Sequence, residues 1–317
     1  QEAEPTATPI TITASATIDG LFAQYLQGVQ LNYRVNNGSW QQMMMTNTGG
    51  DNYEAQIPGQ PAGTVIAYYL GLLDIGNVLS SEVPVGAAQP DPNLPYFMLV
   101  GYDLQRTEDA DSHNELGNWN FGMPGDNATT GIWDLFAPNP TYSTVDNSII
   151  QTDQQHTPGG EFCFFTGNGA NPATPGENDV DGGRTTLQSN AIDLSGYTTP
   201  TFTLWRWYTN SPPGGANPGQ DWWYVQISPD GNDWYFVENT RTDERAWRRL
   251  AFRVQDYFTP TSTFRIRFIA SDSTHVGQNL DGGSLVEAEV DDIQLWDQQD
   301  VGMRDEAMVP SMRIYPS

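Results

Sequence analysis

The sequence predicts an all-β chain: an N-terminal immunoglobulin- or fibronectin-like sandwich followed by a larger jelly-roll β-sandwich. Three observations predict it. Residues 10–18 read Ile-Thr-Ile-Thr-Ala-Ser-Ala-Thr-Ile, alternating apolar and small polar side chains with the period of two that half-buries a strand. The 317 residues include Gly 31 and Pro 22 with 12% aromatics, which is turn chemistry between short elements that carry large flat side chains. No segment sustains a helical period.

Taken in order, residues 1–9 hold two prolines and no periodic pattern, and form an N-terminal arm. Strands follow at 10–18, 28–35, 40–45, 53–57, 64–73 and 96–100, parted by Asn36-Asn37-Gly38, Gly49-Gly50-Asp51 and Pro58-Gly59. That spacing predicts a first sandwich over residues 10–100. Residues 84–95 hold four prolines and read as a hinge. The second domain, 101–297, has strands at 201–208, 221–228, 233–238, 246–254, 263–270 and 286–296, with long Gly/Pro/Asn/Asp loops that suit a jelly roll. Residues 298–317 form a C-terminal tail.

Charge removes several functions. Against 39 acidic side chains stand 13 basic ones, all arginine, for a net charge of −26. Such a surface repels phosphate backbones and anionic headgroups, so no nucleic-acid partner is expected, and divalent cations are the natural counter-charge. No apolar stretch reaches the roughly 18 residues that span a bilayer. A chain opening at Gln1 with no basic or apolar leader reads as a mature secreted protein, placed outside the cell or on its surface. Its lone cysteine, Cys163 in Glu161-Phe-Cys-Phe-Phe165, reads as a buried thiol, so core packing and metal must do the work of disulfides.

Two stretches resemble known modules. Leu31-Asn-Tyr-Arg-Val-Asn-Asn-Gly-Ser-Trp40, Asp51-Asn-Tyr-Glu-Ala-Gln-Ile-Pro58 and Gly63-Thr-Val-Ile-Ala-Tyr-Tyr69 resemble a fibronectin-like module often appended to secreted bacterial peptidases. Further on, the chain resembles the MAM-like jelly-roll domain found downstream of secreted bacterial metallopeptidases. The blocks are Gly125-Asp-Asn-Ala-Thr-Thr-Gly-Ile-Trp133, Asn178-Asp-Val-Asp-Gly-Gly-Arg-Thr-Thr-Leu187, Ile192-Asp-Leu-Ser-Gly196, Leu204-Trp-Arg-Trp-Tyr208 and Gly283-Ser-Leu-Val-Glu-Ala-Glu-Val-Asp-Asp-Ile293. Gln155 stands before His156-Thr157, where that family tends to have an acid; Asp153 is close enough to substitute. Met312-Arg-Ile-Tyr-Pro-Ser317 resembles the opening of a type IX secretion sorting tail.

No catalytic constellation is legible. The histidines, His113, His156 and His275, are far apart and outside any zinc-peptidase frame; a serine-hydrolase elbow is missing, and a Walker loop would need a lysine. Glycoside hydrolysis depends on carboxylate geometry, which sequence spacing does not carry. Calcium is the stronger reading, since it takes six to eight oxygens on tightly bent backbone. Asp179-Val-Asp181-Gly-Gly puts two carboxylates on one side of an extended segment ahead of a turn, and Asp291-Asp292 ends a long strand. The resemblance places Asp126 and Asp153 in loops nearby.

The other candidate surface is aromatic. In Asp221-Trp-Trp-Tyr-Val-Gln-Ile-Ser228 the alternation sends Trp223, Val225 and Ile227 to the core and Trp222, Tyr224 and Gln226 to the opposite face, which is either an exposed ligand platform or is covered by loops. Arg206, Arg265 and Arg267 are expected on sheet faces, paired with surplus acids, and Asn37 and Asn127 open glycosylation sequons. The leading expectation is a secreted, non-catalytic structural or adhesive protein, calcium-stabilised and assembling with copies of itself. The N-terminal strand Ile10, Ile12, Ala14, Ala16, Ile18 is then a candidate for exchange into a neighbour's sheet. The alternative is a binding module for extracellular polysaccharide or protein, accessory to a secreted hydrolase.

Overall fold

The computed structural model describes residues 3–18, 20–88, 92–170, 174–272 and 284–300. His275, Gly283 and the sorting-tail segment at 312–317 lie outside the described residues. The first sandwich comprises β1 (Ile10–Ser15), β2 (Leu26–Val35), β3 (Gln41–Met44), β4 (Thr46–Gly49), β5 (Asn52–Ile57), β6 (Thr64–Asp74), β7 (Leu79–Val83) and β8 (Tyr96–Val100). One sheet runs β1-β5-β4, and the other runs β3-β2-β6-β7 with β8 also paired to β6. Between them Ile12, Leu31, Tyr33, Ile57, Ile66 and Val100 are buried.

The alternation of residues 10–18 does produce a strand, but a strand at home. Ile10 pairs with Ile57 and Ser15 with Asn52, and Ile10 and Ile12 enter the core of their own sandwich. Ala14 and Ala16 pack on the margin of that core, and Ile18 lies beyond the strand's end. Of the two readings of this stretch, first strand of its own domain or donation to a neighbour, the pairing with β5 shows the first for Ile10–Ser15. The arm before it is docked as well: the Glu4 amide donates to the Leu99 carbonyl and the Ala7 amide to Gln60.

The second sandwich is built from β9 (Tyr102–Glu108), β10 (Trp119–Phe121), β11 (Trp133–Phe136), β12 (Cys163–Thr166), β13 (Arg184–Ser189), β14 (Thr201–Thr209), β15 (Trp222–Ser228), β16 (Tyr235–Thr240), β17 (Arg248–Arg253), β18 (Arg265–Ser271) and β19 (Glu287–Gln298). One antiparallel sheet runs β10-β13-β18-β15-β16 and the facing one β11-β12-β19-β14-β17. The long β19 carries β14 along one side, and β12 and then β9 along the other. Its Ala288, Val290, Ile293 and Leu295 face Trp223, Val225, Ile227 and Phe268 across the core, as the alternation in residues 221–228 requires. Among the described residues no helix is long and apolar enough to cross a membrane.

The described residues at the end of the expected hinge, 93–95, are packed into the fold. Asn93 and Leu94 are buried, and Val65, Ala67, Phe97 and Leu99 of the first sandwich share one continuous core with Ala251 and Phe252 of the second. The chain passes from β8 to β9 through Gly101 at φ 62°, where a Cβ would stand 2.7 Å from Ala62 Cα. Only glycine allows that close, left-handed turn.

Candidate functional site

The outer face of the β10-β13-β18-β15-β16 sheet carries an aromatic row. Trp222 and Tyr224, two residues apart on β15, project away from the core with ring centroids 5.8 Å apart and planes 7° from parallel. The Arg241 guanidinium lies 4.9 Å from the Trp222 ring centroid, and Tyr224 meets Phe236 of β16 at 5.5 Å. Phe236 is 50 % exposed. Next along β15, Gln226 Oε1 accepts a 2.7 Å hydrogen bond from Arg267 Nε, and that guanidinium stacks 3.7 Å from the Trp234 ring. Burial lowers Arg267 to about 10, with the like charge of Arg184 adding to the effect, so it stays a cation at neutral pH. Trp222 and Tyr224 are thus a partly exposed pair framed by an amide and guanidinium groups. Arg267 uses an amide and a ring instead of the acid expected for it.

Sequence reasoning missed Phe236, Trp234 and Arg241 because they belong to the neighbouring strand and its flanks. A bulge between Val225 and Gln226 sets their register, pairing Gln226 with Phe236. The run Trp234-Tyr-Phe236 was the available signal.

The six candidate metal ligands fall in three places. Asp126 is saturated by protein donors: its oxygens accept from the Met123 and Thr186 amides and from Thr186 Oγ1, each at 2.8 Å, and Arg184 Nε lies at 3.4 Å. It pins a turn onto β13. Asp153, in an exposed loop, accepts from Gln154 Nε2. Asp291 Oδ2 accepts from the amides of His156 and Thr157 at 2.8 and 3.1 Å. Asp292 lies 2.6 Å from His156 Nδ1 and accepts from Thr157 Oγ1 at 2.8 Å. These two acids hold the 153–157 loop on the outer face of the β11-β12-β19-β14-β17 sheet. The sequon at Asn127 is also engaged, its Oδ1 accepting from the Arg184 amide.

Asp179 and Asp181 differ from the rest. Asp179 is 1 % exposed, and neither of its carboxylate oxygens has a hydrogen-bond partner. Burial first, then the charges of Asp181 and Asp272, push it up to about 7, and Glu287 is raised well above its ordinary range by burial and by Asp179. Among the described residues no group of three or more His, Cys, Asp or Glu side chains is arranged to hold a metal ion. The fit to calcium therefore rests on Asp179: a buried carboxylate with both oxygens unmet, beside further acids, has the donor chemistry of a hard cation but not a finished cage.

Residues 10–72, about a fifth of the chain, match the family Carbohydrate binding module family 56. The same stretch resembled a peptidase-appended fibronectin-like module on its residues alone. No curated protein matches. Among solved structures, one similar chain is a carbohydrate-binding module of the β-sandwich superfamily, described for promiscuous specificity. It is 14% identical, with 93% of this chain and 94% of that one covered and a TM-score of 0.32. The CBM22-2 xylan-binding domain from Paenibacillus barcinonensis Xyn10C is 11% identical, covering 61% and 98%, with a TM-score of 0.33. The tandem CBM22-1-CBM22-2 domain of the same protein is 10% identical, covering 92% and 79%, with a TM-score of 0.34.

Proposed function

We propose that this chain is a non-catalytic carbohydrate-binding accessory module that works outside the cell. The observation that carries the reading is the Trp222–Tyr224 pair on an outer sheet face, beside Gln226 and the guanidinium groups of Arg241 and Arg267. Parallel ring faces accept the C–H face of a pyranose, while amide and guanidinium groups meet its hydroxyls; both interactions need a rigid platform, which a β-sheet provides. The match of residues 10–72 supports the carbohydrate class. The pairing of β1 with β5 inside the first sandwich lends no support to the self-assembling reading.

We also propose that a calcium ion binds at Asp179 and stabilises the loop that carries it. Here the ion would serve structure alone, as counter-charge to Asp179 and its acidic neighbours.

Isothermal titration and affinity electrophoresis against a panel of neutral and acidic polysaccharides test the binding reading. Wild-type protein is expected to bind at least one of them, and Trp222→Ala to weaken that binding by about tenfold or more while leaving the melting temperature nearly unchanged. A wild-type protein that binds nothing in the panel would overturn the reading.

A further inference from the structure

The second sandwich covers only one end of the outer face of the β3-β2-β6-β7 sheet. Val65 and Ala67 of β6 leave the first sandwich there and join the shared core, while Ile66, Tyr68, Leu70 and Leu72 pack inward. By the same alternation Tyr69 projects from the outer face, one step beyond the covered part. A second aromatic pair stands at that point. Trp40, just ahead of β3, is 39 % exposed, and its ring meets Tyr69 edge-on with centroids 5.1 Å apart and planes at 69°. Arg34 of β2 lies over the indole, its guanidinium carbon 5.0 Å from the ring centroid. One face of Trp40 is thus backed by a cation, and the exposed remainder is held at a fixed angle to Tyr69.

The strand register supplies the polar half of the surface. It sets Asn32 of β2 between Gln42 of β3 and Tyr69 of β6, in one row across the sheet. Gln42 is exposed, whereas Asn32 is 1 % exposed and its Nδ2 has no hydrogen-bond partner, which leaves a donor unspent in that row. Amides both donate and accept, as sugar hydroxyls do. Charge disfavours an acidic ligand here: Arg34 is spent on the Trp40 ring, and Glu82 of β7 is paired with Gly71, two residues along β6 from Tyr69. The shape also differs from that of the other pair, whose planes are 7° apart. A flat pair lies along an extended chain; a corner receives one ring in its angle.

We propose that the Trp40–Tyr69 corner is a second saccharide site, which takes a neutral pyranose unit with its C–H face on the Trp40 indole and its hydroxyls toward the Gln42 and Asn32 amides. The proposal rests on the carbohydrate-binding reading, and its residues fall within the matched stretch 10–72. It sits on the opposite sandwich from the Trp222–Tyr224 pair, so the two sites can be removed independently.

Titration calorimetry on the whole chain with short neutral oligomers of glucan, xylan, mannan and galactan tests it. Wild-type protein is expected to take one oligomer more per chain than Trp40→Ala. The corresponding long soluble polymer should bind Trp40→Ala about tenfold or more weakly, because a ligand held at two points loses one of them. Trp40→Phe keeps a ring and should keep most of the binding. Trp40 belongs to neither core, so both variants should melt near the wild-type temperature. If Trp40→Ala takes as many oligomers as wild type and as tightly, the corner is not a site; loss of binding in Trp222→Ala in the same series would then leave the carbohydrate reading standing. A wild-type chain that binds no saccharide overturns both.

Discussion

Asn93 accepts a 2.9 Å hydrogen bond from Nη2 of Arg206, joining the proline-rich stretch of the first sandwich to the interior of the second. Arg206 is fully buried, and the same Nη2 lies 2.7 Å from Glu238 Oε1; Trp223 Nε1 donates to the other Glu238 oxygen at 2.8 Å. A buried ion pair of this kind contributes little net stability when intact, but costs about 3–5 kcal/mol when one partner is removed, because the remaining charge is stranded.

Glu238→Ala should therefore lower unfolding stability by about 3–5 kcal/mol, and the double variant Arg206→Met/Glu238→Leu should recover most of it. Urea denaturation checks both. A double variant no better than the single one would mean that packing, and not the stranded guanidinium, sets the loss.

Glu108, buried in β9, has its carboxyl pushed up to about 7, chiefly by burial, with Asp109 adding to it; the Ala110 amide, donating to Glu108 Oε1, acts in the opposite direction. Raised above its unfolded value, the group favours the folded state while protonated, and that contribution is lost as pH rises through about 7. Glu108→Gln is expected to be more stable than wild type at pH 8 and to flatten the decline between pH 5 and 8, measured as melting temperature against pH. An unchanged pH profile would refute the assignment to Glu108.

Calcium should raise the melting temperature of the wild-type chain, and a chelator should reverse the rise. At free calcium one hundred times its dissociation constant the gain is about 2.7 kcal/mol. Asp179→Asn should abolish the response, whereas Asp126→Asn should keep it, since Asp126 is consumed by Met123, Thr186 and Arg184. Equal responses in both variants would place the ion elsewhere.

Deleting residues 1–15 should unfold the first sandwich instead of releasing an intact monomer, because Ile10 and Ile12 fill its core. Ile12→Ala alone should cost about 2–4 kcal/mol. Circular dichroism and analytical ultracentrifugation separate the two outcomes: a folded deletion variant would restore strand exchange.

Much of the architecture was legible because half-buried strands write their period into the chain. Residues 10–15 show it in β1, and Ala288 and Val290 alternate with Glu287, Glu289 and Asp291 in β19, whereas β6 at 64–74 was legible from an unbroken apolar run. The short β10, β11 and β12 were not legible, since three or four residues among Gly, Pro and Asn carry no period. β13 hid for another reason: its Thr185, Thr186, Gln188 and Ser189 are buried polar residues, so a buried strand reads as a loop. At the candidate site, alternation placed Trp222 and Tyr224 on the outer face, but Phe236 depends on a bulge and a cross-strand partner that single-chain periodicity does not encode. The joint misled most, because four prolines signal an extended linker while Leu94 and Asn93 between them are buried.

The core that runs from Val65, Phe97 and Leu99 into Ala251 and Phe252 makes the two sandwiches poorly portable. A cut within residues 84–95, where composition invites it, would leave each half with a raw apolar face and Arg206 without Asn93. Recombination, natural or engineered, would have to move both sandwiches together, and a fusion partner belongs outside the pair.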